Sequence, residues 1–182
     1  AAYHLIEIFK NNFNNKKLCF DGPALNIFKD QFKDLRNHNL HESLIDSELL
    51  ISGTGWSSDL EHDSRKIALK RGIFSIALLD HWVNYFERFC KSKEVILPNE
   101  IWVTDYDALR IANEVFSKVP IYKIPNIWLD NIKDKVIKKK NLKSDSITTK
   151  PSRLLYLSEP IRSKWGKYQK AEFQSMRYFL SH

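Results

Sequence analysis

The chain has 182 residues, 43% of them hydrophobic and 13% aromatic, and a net charge of +7. That balance belongs to a globular protein and excludes wholesale disorder. No apolar run approaches the roughly 20 residues that a membrane-spanning helix needs, which excludes a transmembrane segment.

The charge is uneven. Residues 1–130 carry 16 Lys and Arg against 18 Asp and Glu, whereas residues 131–182 carry 13 against 4. A basic segment of this kind is either a solvated linker or a patch for phosphate, nucleic acid or anionic lipid. The two cysteines, Cys19 and Cys90, are far apart in apolar surroundings and lack metal-ligand spacing. They read as buried free thiols of a reducing compartment, so a cytoplasmic location is expected. The first residues carry no basic stretch, and no signal peptide is expected there.

In chain order, Tyr3 to Phe9 has apolar residues at helical spacing and reads as a helix already under way. Residues 17–20 read as a short strand, followed by a turn at Asp21-Gly22-Pro23 and a helix from Ala24 to Phe32. Residues 35–47 are polar and His-rich, a loop with a short strand or helical turn near Leu44. The clearest units come next. Ser47 to Ser52 is an apolar strand ending in Gly53-Thr54-Gly55, and a helix over Leu60 to Arg71 follows, with Ile67 and Ala68 inward and Gly72 as its stop. Ile73 to Leu79 is a nearly continuous apolar strand, as expected for a parallel sheet buried on both faces. Glu100 to Thr104 is a further strand, Asp107 to Phe116 a helix, and Ile121 to Ile124 a strand ending at Pro125-Asn126. Strand and helix alternating at this pitch predict an α/β fold, a Rossmann-like and mostly parallel sheet with helices on both faces.

Residues 131–152 read as a basic linker between an N-terminal domain over 1–130 and a segment over 153–182. In that segment Arg153 to Ser158 resembles a strand and Ala171 to Leu180 an amphipathic helix. One strand and one helix bury no core alone, so they either dock on the first domain or begin a second α/β domain.

In doubly wound sheets ligands bind beyond the carboxyl ends of the strands. That rule selects Gly53, Thr54, Gly55 and Trp56 as substrate-binding candidates, because two glycines let backbone N–H groups approach a ligand. The alternative is a tight turn that needs positive φ. Ser57, Ser58 or Asp59 would cap the next helix and leave its N-terminus open to an anion. Asp80 and His81 follow the next strand directly and are the catalytic candidates: an imidazole titrates near neutrality, and a neighbouring carboxylate orients it as a general base. The alternative has Asp80 capping a helix while Trp82, Tyr85 and Phe86 pack as core. Asn84, Tyr85, Glu87 and Arg88 continue a polar, aromatic surface suited to sugars or nucleotides, with Asn84 and Asn126 as further substrate-binding candidates. Asp105 is expected to cap a helix, and Asp59 and Glu61 to be first-turn helix acids. GxGxxG, Walker, HExxH and GxSxG motifs are absent, and His38, His41 and His62 lack a metal pattern, so neither a cofactor nor a metal is expected.

The stretches DSELLISGTGWSSDLE, KRGIFSIALLDHWVNYFERF, EIWVTDYDALRIANEVF and VPIYKIPNIWLD resemble, in order and spacing, the N-terminal half of a GT-B-fold glycosyltransferase or of its relative, the sugar-nucleotide 2-epimerase. PSRLLYLSEPI looks like the first strand of the second domain of such an enzyme. The overall look is that of bacterial surface-polysaccharide transferases. The resemblance implies a nucleotide-sugar donor held mainly by the C-terminal domain, a glycan acceptor on the N-terminal side, His81 as base and the Gly53–Gly55 loop lining the cleft. It implies no bound metal and no nucleic-acid partner, with peripheral contact to an anionic membrane surface as a further expectation. The other functions open at this point are a noncatalytic Rossmann-like binding domain and a sugar-nucleotide epimerase.

Overall fold

The computed structural model describes residues 16–31, 36–55, 58–141 and 171–181. The expected helix over 3–9, the expected strand over 153–158, Trp56 and Ser57 lie outside these residues. The chain divides into two compact units, Ala1–Leu142 and Lys143–His182.

The first unit is built on a four-stranded, wholly parallel sheet. Its strands are β1 (Leu49–Ser52), β2 (Phe74–Leu79), β5 (Glu100–Val103) and β6 (Ile121–Lys123), in the spatial order β1-β2-β5-β6. The helices are α1 (Gly22–Gln31), α2 (Leu40–Ser43), α3 (Leu60–Arg71), α4 (Tyr106–Val115) and α5 (Ile127–Asn141). The α/β, Rossmann-like class expected from the alternation of strand and helix is what forms. In the second unit, α6 (Ala171–Ser181) matches the expected amphipathic helix.

Successive side chains of a strand point to opposite faces, and both faces of this sheet are apolar. Ala77, Leu79, Ile101 and Val103 share one face, buried with Ala108 and Ala112 of α4 and with Phe116. Leu50 packs on Ala68 and Ile67 of α3 at the β1 side of that face. Ile51, Ile76 and Leu78 are buried on the opposite face, with Trp102 and Ile124 packed against them.

One expected strand does not form, and neither does the helix of the alternative reading of Asp80. Residues 17–20 do not form a strand: Leu18 makes a single parallel bridge to Asn37. The Asn37 side chain takes both backbone groups of Phe20, its Oδ1 accepting from the N–H at 2.8 Å and its Nδ2 donating to the carbonyl at 3.1 Å, so no ladder extends there. Between β2 and β5 no α-helix follows Asp80. The chain instead forms a loop, a single 3-10 turn over Glu87–Phe89 and a small antiparallel hairpin of β3 (Cys90–Lys91) and β4 (Glu94–Val95). The hairpin is tied to α3 by ion pairs, Lys66 Nζ to Glu94 Oε2 at 2.6 Å and Lys91 to Asp59, and Phe89 fills the core beneath it. Residues 131–141 of the expected basic linker are helical, since α5 runs through Asn141.

The end of α3 falls where its sequence stops it. Gly72 adopts φ 68°, and its N–H caps the carbonyls of Ala68 and Leu69. A Cβ there would meet nothing within 4 Å, so only backbone conformation opposes a larger residue. Gly72→Ala is therefore expected to lower unfolding stability by about 1 kcal/mol, read from urea denaturation, with an unchanged far-UV spectrum.

Candidate functional site

The strand register sets the site. Leu79, Val103 and Lys123 lie side by side across β2, β5 and β6, while Ser52 pairs with Ala77. The residues beyond them therefore form one row along the carboxyl edge of the sheet: Gly53 to Gly55, then Asp80, then Thr104 and Asp105, then Ile124 to Asn126. Asp80 and Asn126 are separated in this row by the end of β5.

The first loop of the row is held by a buried cation. Arg65 of α3 is 2% exposed. Its Nη1 donates to Ser52 Oγ at 3.2 Å and to the Gly53 carbonyl at 3.0 Å, and its Nη2 donates to the Arg88 carbonyl at 3.4 Å. The guanidinium also lies over the Phe89 ring, 5.0 Å from its centroid. Burial lowers the Arg65 pKa to about 10, with Glu61 one turn earlier opposing the shift, so the group stays charged at neutral pH. Arg88 returns the connection: its Nη1 donates to the Thr54 carbonyl at 2.9 Å and its Nε to the Val83 carbonyl at 3.1 Å. Thr54, itself buried, donates through Oγ1 to the Leu78 carbonyl at 3.1 Å.

This arrangement changes the reading of the Gly53–Gly55 loop. Neither glycine has positive φ, a conformation that the described glycines adopt only at Gly22 and Gly72, so the tight-turn explanation fails. The expectation that the loop offers its N–H groups to a ligand fails at Gly55, whose N–H donates to Glu61 Oε2. The Gly55 N–H is thus satisfied by an acid of the chain's own. A Cβ at position 55 would stand 2.8 Å from the same oxygen, so a larger residue there requires the Glu61 carboxylate to shift. The Asp59 side chain does not cap α3; Ser58 Oγ accepts from the Leu60 N–H at 3.3 Å instead. Gly53 and Thr54 are buried, and Gly55 is the exposed member of the trio.

Asp80 and His81 stand at the centre of the row. His81 Nε2 lies 3.6 Å from Asp80 Oδ1, longer than a hydrogen bond, and the imidazole is 53% exposed while the carboxylate is largely covered. Such a pair tightens readily when a ligand covers it. The helix that Asp80 would cap is absent, and the aromatic residues of the loop divide. Tyr85 is 3% exposed, whereas Trp82 and Phe86 are exposed, so only Tyr85 joins the core. Burial, reinforced by the charge of Asp105 and opposed by Arg88, pushes the Tyr85 pKa up to about 12, and its hydroxyl is buried without a hydrogen-bond partner. Asn84 is exposed and adopts φ 58°, a conformation that asparagine tolerates better than most residues.

At the third strand end Asp105 does two things. Its Oδ1 accepts from the Ala108 N–H at 2.7 Å, the expected cap of α4, and its Oδ2 accepts from the Trp82 indole at 3.0 Å. Asn126 Oδ1 accepts from the Leu129 N–H at 3.0 Å and so opens α5.

The structure thus brings Gly55, Asp80 and His81 to one edge, leaves Asn126 at its far end, and adds Glu61, Arg65, Arg88 and Tyr85. Within α3 the one available sign was the four-residue spacing of Glu61 and Arg65 on a helix face. Nothing local marks the carbonyls that Arg65 reaches.

Burial raises the Glu61 pKa above its ordinary 4.5, against the Gly55 N–H and Arg65, which both lower it. A folded state that holds this proton more tightly than the unfolded chain is favoured as pH falls through the raised pKa, and it loses that contribution as pH rises. Wild type is therefore expected to lose stability relative to Glu61→Gln as pH rises from 4.5 through the raised value, with no further change above it. Parallel denaturation of both proteins across pH measures the difference.

Searches against protein-family models, curated proteins and solved structures found no match to this chain.

Proposed function

We propose that the carboxyl edge of the sheet is the acceptor side of a glycosyltransferase that uses a nucleotide-sugar donor, of the kind that builds bacterial surface glycans. The observation that carries this reading is the closure of the Gly55 N–H by Glu61 beside the Asp80–His81 pair. Carboxylates at an edge without an open anion cradle repel phosphate and accept hydrogen bonds from hydroxyl groups. Such an edge suits a polyhydroxyl acceptor and leaves the donor diphosphate to another part of the full protein.

In the proposed reaction an acceptor hydroxyl loses its proton to the His81 imidazole, and Asp80 stabilises the imidazolium that forms. The hydroxyl oxygen bonds to the anomeric carbon as the bond from that carbon to the diphosphate oxygen breaks, and the nucleotide leaves with the electron pair. Glu61 and Arg88 line the same edge, each within electrostatic reach of Asp80.

A membrane surface is proposed as a partner on separate grounds. No helix among the described residues is long and apolar enough to cross a membrane. Helix α5 exposes Trp128, Ile132 and Val136 at four-residue spacing, with Lys133 and Lys135 to either side. An apolar stripe bordered by lysines is suited to lie in an anionic interface.

Two outcomes are expected. Full-length protein supplied with UDP-, CMP- and GDP-sugars should release nucleotide from one of them only when a glycan acceptor is present, and His81→Ala should lower that rate by about 10²-fold or more with the fold intact. Release without acceptor would favour epimerisation, and no binding of any nucleotide-sugar would overturn the enzymatic reading. The chain should also sediment with phosphatidylglycerol vesicles at low salt and come off as salt is raised to about 0.5 M; binding that ignores salt would contradict the membrane reading.

A further inference from the structure

The loop after β2 treats its aromatic residues unequally. It buries Tyr85 and Phe89 in the core and leaves the larger Trp82 side chain 59% exposed. That exposure comes with a fixed orientation. The indole Nε1–H donates to Asp105 Oδ2 at 3.0 Å, and the other oxygen of the same carboxylate holds the first turn of α4 at the Ala108 N–H. The ring is thus anchored to a rigid element by its only polar atom. Its single donor is spent, and what it offers a ligand is its π-faces and its edge.

The neighbours restrict what can lie against those faces. His81, the residue before Trp82, is exposed beside Asp80, and Asn84 is exposed two residues later. Asp105 holds the ring and Asp80 lies two residues before it, with Arg88 in electrostatic reach of Asp80, so the carboxylates beside the loop offer acceptors for hydroxyl groups. Val83 and Phe86 widen the apolar surface of the loop. A ligand that fits is uncharged, has one flat face of C–H groups for the ring, and carries hydroxyl groups around its rim for the carboxylates and the imidazole. A pyranose meets all three conditions.

We infer that Trp82, oriented by Asp105, is the platform on which a neutral pyranose ring of the acceptor stacks, placing a rim hydroxyl at His81. Trp82 is a binding residue, Asp105 a positioning residue, and the inference rests on the acceptor-side reading given above.

The test uses the full chain and saturation-transfer NMR with methyl β-glucopyranoside, methyl β-galactopyranoside, methyl N-acetyl-β-glucosaminide and methyl α-rhamnopyranoside as probes. Saturation is expected on the C–H groups of one face of at least one probe. It should fall by about fivefold or more in Trp82→Ala and persist in Trp82→Phe, which keeps an aromatic face. Asp105→Asn retains an acceptor for the Ala108 N–H and loses the charged partner of the indole, so it should weaken the signal without abolishing it. The amide spectrum of each variant checks that the fold is kept, as expected for substitution of an exposed ring. Absence of saturation on all four probes, or equal saturation in Trp82→Ala, overturns the inference. Its failure is separable from that of the transferase reading. Trp82-dependent pyranoside contact without nucleotide-sugar turnover leaves a sugar-binding edge and removes the enzyme; turnover with an unchanged acceptor KM in Trp82→Ala removes the platform and leaves the enzyme.

Discussion

A single buried guanidinium holds the carboxyl edge of this sheet together. Arg65 is taken out of water almost completely, and desolvating a cation is costly unless its donors are used. Here they reach Ser52, Gly53 and Arg88, with the ring of Phe89 under the charge, and only Nε is left without a partner. Removing the guanidinium would take a donor from the buried Ser52 hydroxyl and from the Gly53 and Arg88 carbonyls, a loss on the order of 1–3 kcal/mol. The gain is geometric. Loops that follow two different strands, residues 53–55 and 82–89, are held in one arrangement by a helix that belongs to the first of them. Arg88 makes the tie reciprocal by holding the Thr54 carbonyl.

That constraint shapes the chemistry of the edge. The residue one turn before Arg65 on the same helix face is Glu61, so fixing the helix also fixes the acid that takes the Gly55 N–H. A loop that resembles an anion cradle in sequence becomes a closed, acidic wall. Asp80 and His81 sit beside it on the neighbouring strand, and Asp105 on the next strand both starts α4 and aims the Trp82 ring. Carboxylates, an imidazole and an exposed indole thus share one edge, and the proposed acceptor site rests on that grouping.

Much of the framework was legible in the sequence because it is local. The helix over Leu60 to Arg71 was marked by Gly72 beyond its end, β2 by an unbroken apolar run, and α4 by Asp105 before its first turn. What failed depends on partners distant in the chain. Residues 17–20 look like a strand, yet one asparagine side chain at position 37 replaces the ladder. A helix after Asp80 is open to a local reading of residues 80–89, but Tyr85 and Phe89 instead enter the core of the sheet from a loop and a 3-10 turn. Glu61 reads as a first-turn helix acid and Arg65 carries no local sign of its partners, so only the fold reveals that both face the loops. The strand-end row itself follows from register, and the choice of candidates at Gly55, Asp80 and His81 came from that general rule and not from a motif.

Arg65 holds both strand-end loops in place through the Gly53 and Arg88 carbonyls. Hydrogen exchange of the full chain and of Arg65→Met measures this directly, at the amides of Arg88, Phe89 and Ile96, which are bonded to Asn84, Phe86 and Phe89 carbonyls. These amides should lose protection in the variant while those of β2 and β5 keep theirs. Protection of residues 82–96 equal to that of wild type would contradict it.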